Sequence, residues 1–310
     1  MRTGVRVSFV VLADLAALGL ALVLFALFHH VLPGTVSVGM GKTPGVNAVF
    51  DFPGRFTDGG VEESREEDRY HYRDESLDLT VSRHREKNGE GKDVSYVLAD
   101  FYIKDLSRFR TAFAGGEFIT GVDDSVVNMA RENNALLAAS GDYCGVRKTS
   151  VVIRNGEVFR RTKAHEICVL YRSGELQTFR FADFSVDAAV ARGVWQAWDF
   201  GPCLLLPDGS PRTEFHPGIA GENPRMILGY YEPGHYCLAA VDGRQKSSAG
   251  LTLPACAELM ARLGCRAAYN LDGGHSAVMT LKGSIVNSPS KPGGRNISDV
   301  LYLTGRETEE

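Results

Sequence analysis

The stretch YNLDGGHSAV, residues 269–278, carries an apolar run to a carboxylate, Asp272, then gives up its side chains at Gly273 and Gly274 before His275 and Ser276. The run ahead of it, AAYNL (267–271), is apolar on nearly successive residues. That marks a strand buried on both faces rather than one with a wet side. The same form occurs twice more: ALLAA (135–139) leads into Ser140-Gly141-Asp142, and CLAAV (237–241) leads into Asp242-Gly243-Arg244. A strand's end is where a rigid sheet presents side chains to a cleft. Glycine beside the acid permits positive φ and lets a ligand approach the backbone, and consecutive free N–H groups there form a concavity suited to an anion such as phosphate. Asp-Gly is also the commonest turn pair, so any one of the three acids alone reads equally well as a turn.

Outward from these runs the chain reads as strands with few helices. Leu77, Leu79 and Val81 alternate with polar residues, and VSYVLADFYI (94–103) is a further strand. Asn155-Gly156 and Ser173-Gly174 sit between apolar runs as hairpin turns. Two segments predict helices. DDSVVNMARENNA (123–135) opens on cap-type residues and places Val126, Met129 and Ala130 on one face. TLPACAELMARLG (252–264) has Pro254 in its first turn, Gly264 at its stop, and Cys256, Leu259, Met260 and Leu263 at the spacing of a buried stripe. The expected class is α+β: a single mixed-sheet catalytic domain with few helices, preceded by an N-terminal transmembrane helix.

That helix is read from residues 7–28, VSFVVLADLAALGLALVLFALF, long enough to cross a hydrocarbon core of about 30 Å. Arg2 and Arg6 precede the run and no Lys or Arg follows until Lys42, so the remainder is expected outside the cytoplasm. The expected organisation is an anchor (1–29), a Gly/Pro-rich and highly charged juxtamembrane stalk (30–75), a catalytic domain (76–305) and a short tail (306–310). The net charge of −4 offers no concentrated basic face for nucleic acid. Six cysteines, at 144, 168, 203, 237, 256 and 265, lie beyond the anchor, where disulfides are permitted. A helix between Cys256 and Cys265 would hold that pair apart, and buried thiols are as good a reading as bridges. The absence of any CxxC pair argues against a structural zinc site, and no metal or cofactor is expected.

The order AASGDYCGVR, VVIRNGEVFRR, FGPCLLLPDG, then NPRMILGYYEPGHYCLAAVDGRQKSSAGLTLPACAELMARLGCRAAYNLDGGHSAVM and IVNSPS resembles the phosphodiester glycosidase family across roughly residues 94–303. The most specific portion runs from Val241-Asp242-Gly243-Arg244-Gln245 to Asn270-Leu271-Asp272-Gly273-Gly274. The resemblance implies hydrolysis of a sugar-1-phosphodiester, releasing the sugar and leaving a phosphomonoester. The chain departs from the family's habit at Ser140, where Asn is common, at Met226, where Thr is common, and at His275, where a small residue is usual. The last departure bears on substrate identity more than on reaction class.

The chemistry assigns candidate roles independently. Cleaving a glycosyl phosphate develops positive charge on the sugar and negative charge on the departing phosphate. Carboxylates stabilise or capture the first, and Asp272, then Asp242 and Asp142, are the catalytic candidates. Guanidinium groups bind the second bidentately, and Arg225, Arg244 and Arg295 are the clamp candidates. Gly273, Gly274, His275 and Ser276 complete the expected substrate-binding loop. Asn270 and Asn287 are candidates for sugar hydroxyls or an acetamido group. Trp195 and Trp198 fit core packing better than sugar stacking, and the sequon at Asn296 carries no weight. The expected partner is a glycopolymer or other sugar-phosphodiester substrate. Two other readings stay open: a non-catalytic carbohydrate or envelope-polymer binding module on the same scaffold, and a metal-dependent phosphodiesterase.

Overall fold

The computed structural model describes residues 14–25 and 39–306. Residues 14–25 are helical with exposed side chains; the rest of the expected anchor, including 7–13 and 26–28 of the apolar run, lies outside the described residues. Among the described residues no helix is long and apolar enough to cross a membrane.

From residue 39 on, strands predominate, and they divide into three sheets instead of the single mixed sheet expected. The largest has seven strands in the order Glu62–Arg65, Arg69–Arg73, Leu77–Lys87, Asp93–Ile103, His235–Val241, Arg225–Glu232, Ala267–Leu271. A second runs Leu176–Phe179, Ile167–Tyr171, Val194–Trp198, Ser150–Arg154, Glu157–Thr162. The third runs Ser284–Ile285, Met279–Leu281, Ala135–Ser140, Asp299–Thr304, Phe109–Phe113. All pairings between these strands are antiparallel.

The charged segment expected as part of a solvated stalk is built into the large sheet. Its charges alternate with aromatic residues, and that period of two puts Tyr70 and Tyr72 into the core while Arg69, Arg73 and Glu62 keep to the surface. Upstream, Phe50 packs against Gly174 and Gly234, where a side chain's Cβ would stand 2.3 Å and 2.7 Å from its ring. Both expected hairpins form, with Asn155, Gly156 and Gly174 at positive φ.

One hydrophobic core is shared by the three sheets: Leu79 and Phe101 come from the first, Leu170 and Trp198 from the second, Leu137 and Leu301 from the third. Each such side chain, fully buried, contributes about 1.5–3 kcal/mol. Both tryptophans belong to this core. The helix Leu253–Arg262 covers the other face of the large sheet, placing Leu253, Cys256 and Met260 on Ile227, Ala239 and Val241. Thr252 caps it by accepting from the Ala255 N–H at 3.2 Å. The helix Val126–Glu132, capped by Ser125, covers the third sheet with Val126, Met129 and Ala130. All six cysteines are free and buried.

Candidate active site

Register decides which sequence-distant residues meet. In the large sheet Arg225 lies opposite Val241, and Met226 lies opposite Leu271. The end of His235–Val241, the start of Arg225–Glu232 and the end of Ala267–Leu271 therefore stand side by side, carrying Asp242, Arg225 and Asp272 on three adjacent rows. Ala267–Leu271 is the last named strand of its sheet, not a central one. Its outer edge is covered all the same, because Leu204 N–H donates to Ala268 and Asn270 N–H to Pro202. The third sheet joins at this point: the Asp272 N–H donates to the Gly141 carbonyl at 3.0 Å, and Ser140 Oγ donates to the Asp272 carbonyl at 3.3 Å. All three acids thus converge on one end of the fold, but they do not share one environment.

Asp272 is nearly buried. Arg295 Nη2 donates to its Oδ2 at 2.9 Å, and Arg295 Nε donates to Ser276 Oγ at 2.9 Å. Burial raises the Asp272 pKa, the hydrogen bond from Ser276 and the Arg295 charge oppose it, and the Asp142 charge adds to the rise. Asp242 is also buried and also raised by burial. Its carboxylate accepts from Ser288 N–H at 2.7 Å, Ser95 Oγ at 2.9 Å and Asn287 Nδ2 at 3.1 Å, with Arg83 Nη1 at 4.0 Å. A cleft of about 640 Å³ opens on Asp242 and is lined by Arg83, Arg85, Lys87, Ser95 and Ser288 among others. A larger cavity, about 1410 Å³, lies beside the strand Leu176–Phe179 and is lined by Glu175, Arg212, Tyr230 and Arg266, but by none of the three carboxylates.

The glycines of the opening motif are required by the close approach of the Pro224 backbone. A Cβ at Gly273 would stand 2.6 Å from the Pro224 carbonyl oxygen, and Gly274, at φ 61°, donates its N–H to that same oxygen at 2.8 Å. Gly274 is therefore not an open anion-binding amide. The guanidinium of Arg244 lies directly over it: a Cβ on Gly274 would be 3.4 Å from Nη1.

Arg244 and Arg225 have no carboxylate partner among the described residues. Arg244 holds a left-handed backbone, φ 58°, and its Nε and Nη2 both donate to Asn223 Oδ1, at 3.1 Å and 2.7 Å. Arg225 is buried and donates to the carbonyls of Leu251, Ile219 and Gly221. Burial lowers its pKa, and the neighbouring Arg244 charge lowers it further. Two positive charges close enough to repel and without an acid between them suit an anionic ligand.

Several candidates read differently in place. Asp142 is engaged within the fold: Arg154 Nη2 stands 2.9 Å from its Oδ2, the Cys144 N–H donates to its Oδ1 at 2.8 Å, and the residue is buried. Its oxygens, those of Asp299 and the Cys144 thiol lie within 4.8 Å, but Arg154 already supplies the cation between the two carboxylates. Asn287 also holds structure, donating to Asp242 and to the Ala277 carbonyl while accepting from Met279 N–H. Asn270 is buried; its Nδ2 donates to the Gly201 carbonyl and its Oδ1 has no partner among the described residues. His275 is exposed, with Nδ1 2.9 Å from Ser290 Oγ.

Sequence reasoning missed Arg154, Asp299, Ser95, Asn223 and Ser288. Arg154 left one signal, a charged residue closing the apolar run VVI of the strand SVVIR.

Residues 117–304 match the family model described as phosphodiester glycosidase. The SPbeta prophage-derived uncharacterized protein YomE of Bacillus subtilis (strain 168) is 27% identical over 192 residues, which are 58% of this chain and 30% of that protein. The chain thus spans under a third of that relative's length. Among solved structures, the catalytic domain of zebrafish N-acetylglucosamine-1-phosphodiester alpha-N-acetylglucosaminidase, auto-inhibited by pro-peptide, is similar with a TM-score of 0.62 and 21% identity, covering 80% of this chain and 88% of that one. A hypothetical protein from Synechocystis is similar with a TM-score of 0.56 and 13% identity, covering 74% and 62%. Identities this low carry the fold.

Proposed function

The chain belongs to the phosphodiester glycosidase family, and from that premise we propose that it hydrolyses a sugar-1-phosphodiester, of the N-acetylglucosamine-1-phosphodiester kind, within a cell-envelope glycopolymer or exopolysaccharide. The apolar run at 7–28 behind Arg2 and Arg6 supports a membrane anchor with the domain on the extracytoplasmic side.

The observation that carries the reading is the placement, at one end of the large sheet, of a buried, pKa-raised carboxylate, Asp272, and two guanidinium groups that lack an acid of their own among the described residues, Arg225 and Arg244. In the proposed reaction the anomeric C–O bond to phosphate breaks. Asp272 meets the positive charge that develops on the sugar, as nucleophile or as base to water. Arg244, with the Arg225 charge close by, takes the charge gathering on the departing phosphate. Such a leaving group needs little protonation, so a dedicated general acid is dispensable. Asp242 lines the neighbouring cleft as the second carboxylate, held by Ser95, Asn287 and Ser288. Arg295 and Ser276 keep Asp272 oriented and ionised. Stabilisation that grows as charge develops is what accelerates a reaction.

The test is incubation of the full chain with a panel of sugar-1-phosphodiesters, measuring free sugar and phosphomonoester together. Release of both by the wild type and not by Asp272→Asn supports the proposal. Binding of panel members with no release by either protein overturns it in favour of a binding module.

A further inference from the structure

Asp142 ends its strand as Asp272 ends its own, yet it is 1% exposed and belongs to a charged cluster closed to solvent. Arg154, on Ser150–Arg154, clamps two acids at once. Its Nη2 lies 2.9 Å from Asp142 Oδ2 and 2.9 Å from Asp299 Oδ2, and its Nε donates to Asp299 Oδ2 at 3.0 Å. Its Nη1 donates to the carbonyls of Ile153 and Ala197. Asp299 in turn grips the turn ahead of Asp142. Its Oδ1 accepts from the Asp142 N–H at 2.9 Å, and its carbonyl accepts from the Gly141 N–H at 2.9 Å. Gly141 fits so closely that a Cβ there would stand 2.5 Å from Asp299 Oδ1. The Gly141 carbonyl then accepts from the Asp272 N–H at 3.0 Å. The contacts run without a gap from Arg154, through both acids, to the backbone of Asp272.

We infer that Arg154 is a positioning residue for Asp272: by clamping Asp142 and Asp299 it fixes the Gly141 carbonyl, and with it the backbone from which the Asp272 carboxylate is aimed. This rests on the proposed role of Asp272. A buried ion cluster is poor value as a stabiliser, since replacing one with apolar residues is often neutral or better. What the cluster does that apolar side chains cannot is hold two backbone segments from different sheets in fixed register. The planar fork matters as well, because a lysine offers no fixed geometry toward two carboxylates.

The experiment compares wild type with Arg154→Lys, which keeps the charge and loses the fork. Three quantities are measured on the full chain: near-ultraviolet circular dichroism for the fold, kcat and KM on a chromogenic N-acetylglucosamine-1-phosphodiester, and the ¹³C chemical shift of the Asp272 carboxyl, assigned by its loss in Asp272→Asn. The expected result is a folded variant whose kcat falls about 100-fold, the cost of an ångström-scale misplacement, with KM little changed and the Asp272 resonance moved. A folded variant with an unmoved resonance overturns the inference. So does one in which kcat and KM are both at wild-type values. Should Arg154→Lys fail to fold, Asp142→Asn breaks the same clamp from its other side and is read the same way. Absence of turnover in the wild type would strike the proposed function alone; the resonance still decides whether Arg154 controls Asp272.

Discussion

Arg295 Nη2 stands 2.9 Å from Asp272 Oδ2, and the same guanidinium binds Ser276 through Nε, so one side chain fixes both the charge and the hydrogen-bond partner of the carboxylate. Its charge pulls the Asp272 pKa down against burial, which pushes it up. Removing it with Arg295→Met leaves burial less opposed, and the Asp272 pKa moves further upward. The acid limb of kcat/KM against pH then shifts to higher pH, with less ionised Asp272 at any given acidic pH. A limb that stays in place, or moves to lower pH, would mean that Asp272 is not the group titrating.

Asp272→Asn separates activity from stability. A raised folded-state pKa means that the folded chain holds the proton more tightly than the unfolded one. The contribution to stability is fully present below the unfolded value, about 3.9, and is lost as pH rises through the folded value. At pH 7 the ionised group therefore burdens the fold. The neutral amide relieves it, so the Tm of Asp272→Asn exceeds that of wild type at pH 7 by about 2–4 °C for each kcal/mol relieved, and the gap narrows toward pH 4. Turnover falls about a thousandfold or more. Calorimetry across pH checks the first half. A variant less stable than wild type at pH 7 would show that the Arg295 contact outweighs burial.

How much of this was legible in the sequence differs from residue to residue. Asp242 and Asp272 could be found because each closes an apolar run long enough to be a buried strand, a purely local signal. Asp142 carries the same signal and has the opposite fate. Its partners, Arg154 and Asp299, lie 12 and 157 residues away, and a buried ion cluster leaves no periodicity to read. In the segment 62–73 the density of charge masks an alternation that is present in the sequence and that buries Tyr70 and Tyr72. The division into three sheets depends on which strands pair, and strand patterns alone do not specify partners.

Arg244 holds a left-handed backbone that costs a non-glycine residue about 1 kcal/mol or more, the kind of strain that persists where function requires it. Arg244→Lys keeps the charge but loses the two-nitrogen grip on Asn223. If Arg244 meets charge that appears only as the phosphate departs, kcat falls about 10- to 100-fold with KM changed far less. Steady-state kinetics decides it: a rise in KM at constant kcat would place Arg244 in ground-state binding.

Gly229, on the strand Arg225–Glu232, is a glycine for reasons of space. Its φ is not positive, so no backbone strain forbids a side chain. A Cβ there would stand 2.4 Å from Met260 Cε, 2.6 Å from Cys237 Sγ and 2.9 Å from Cys265 Sγ, and the two sulfurs already lie 3.8 Å apart. The methionine end can swing away, but the sulfurs are fixed by a central strand and by the turn after the helix Leu253–Arg262. Gly229→Ala therefore overpacks the layer and costs about 1–3 kcal/mol. Cys265→Ala alone leaves a small void. Combined, the two changes share one space, so the double variant recovers part of the loss and the effects are not additive. Denaturant titration of the four proteins measures the coupling, and strict additivity would show that Gly229 does not answer to the Cys265 thiol.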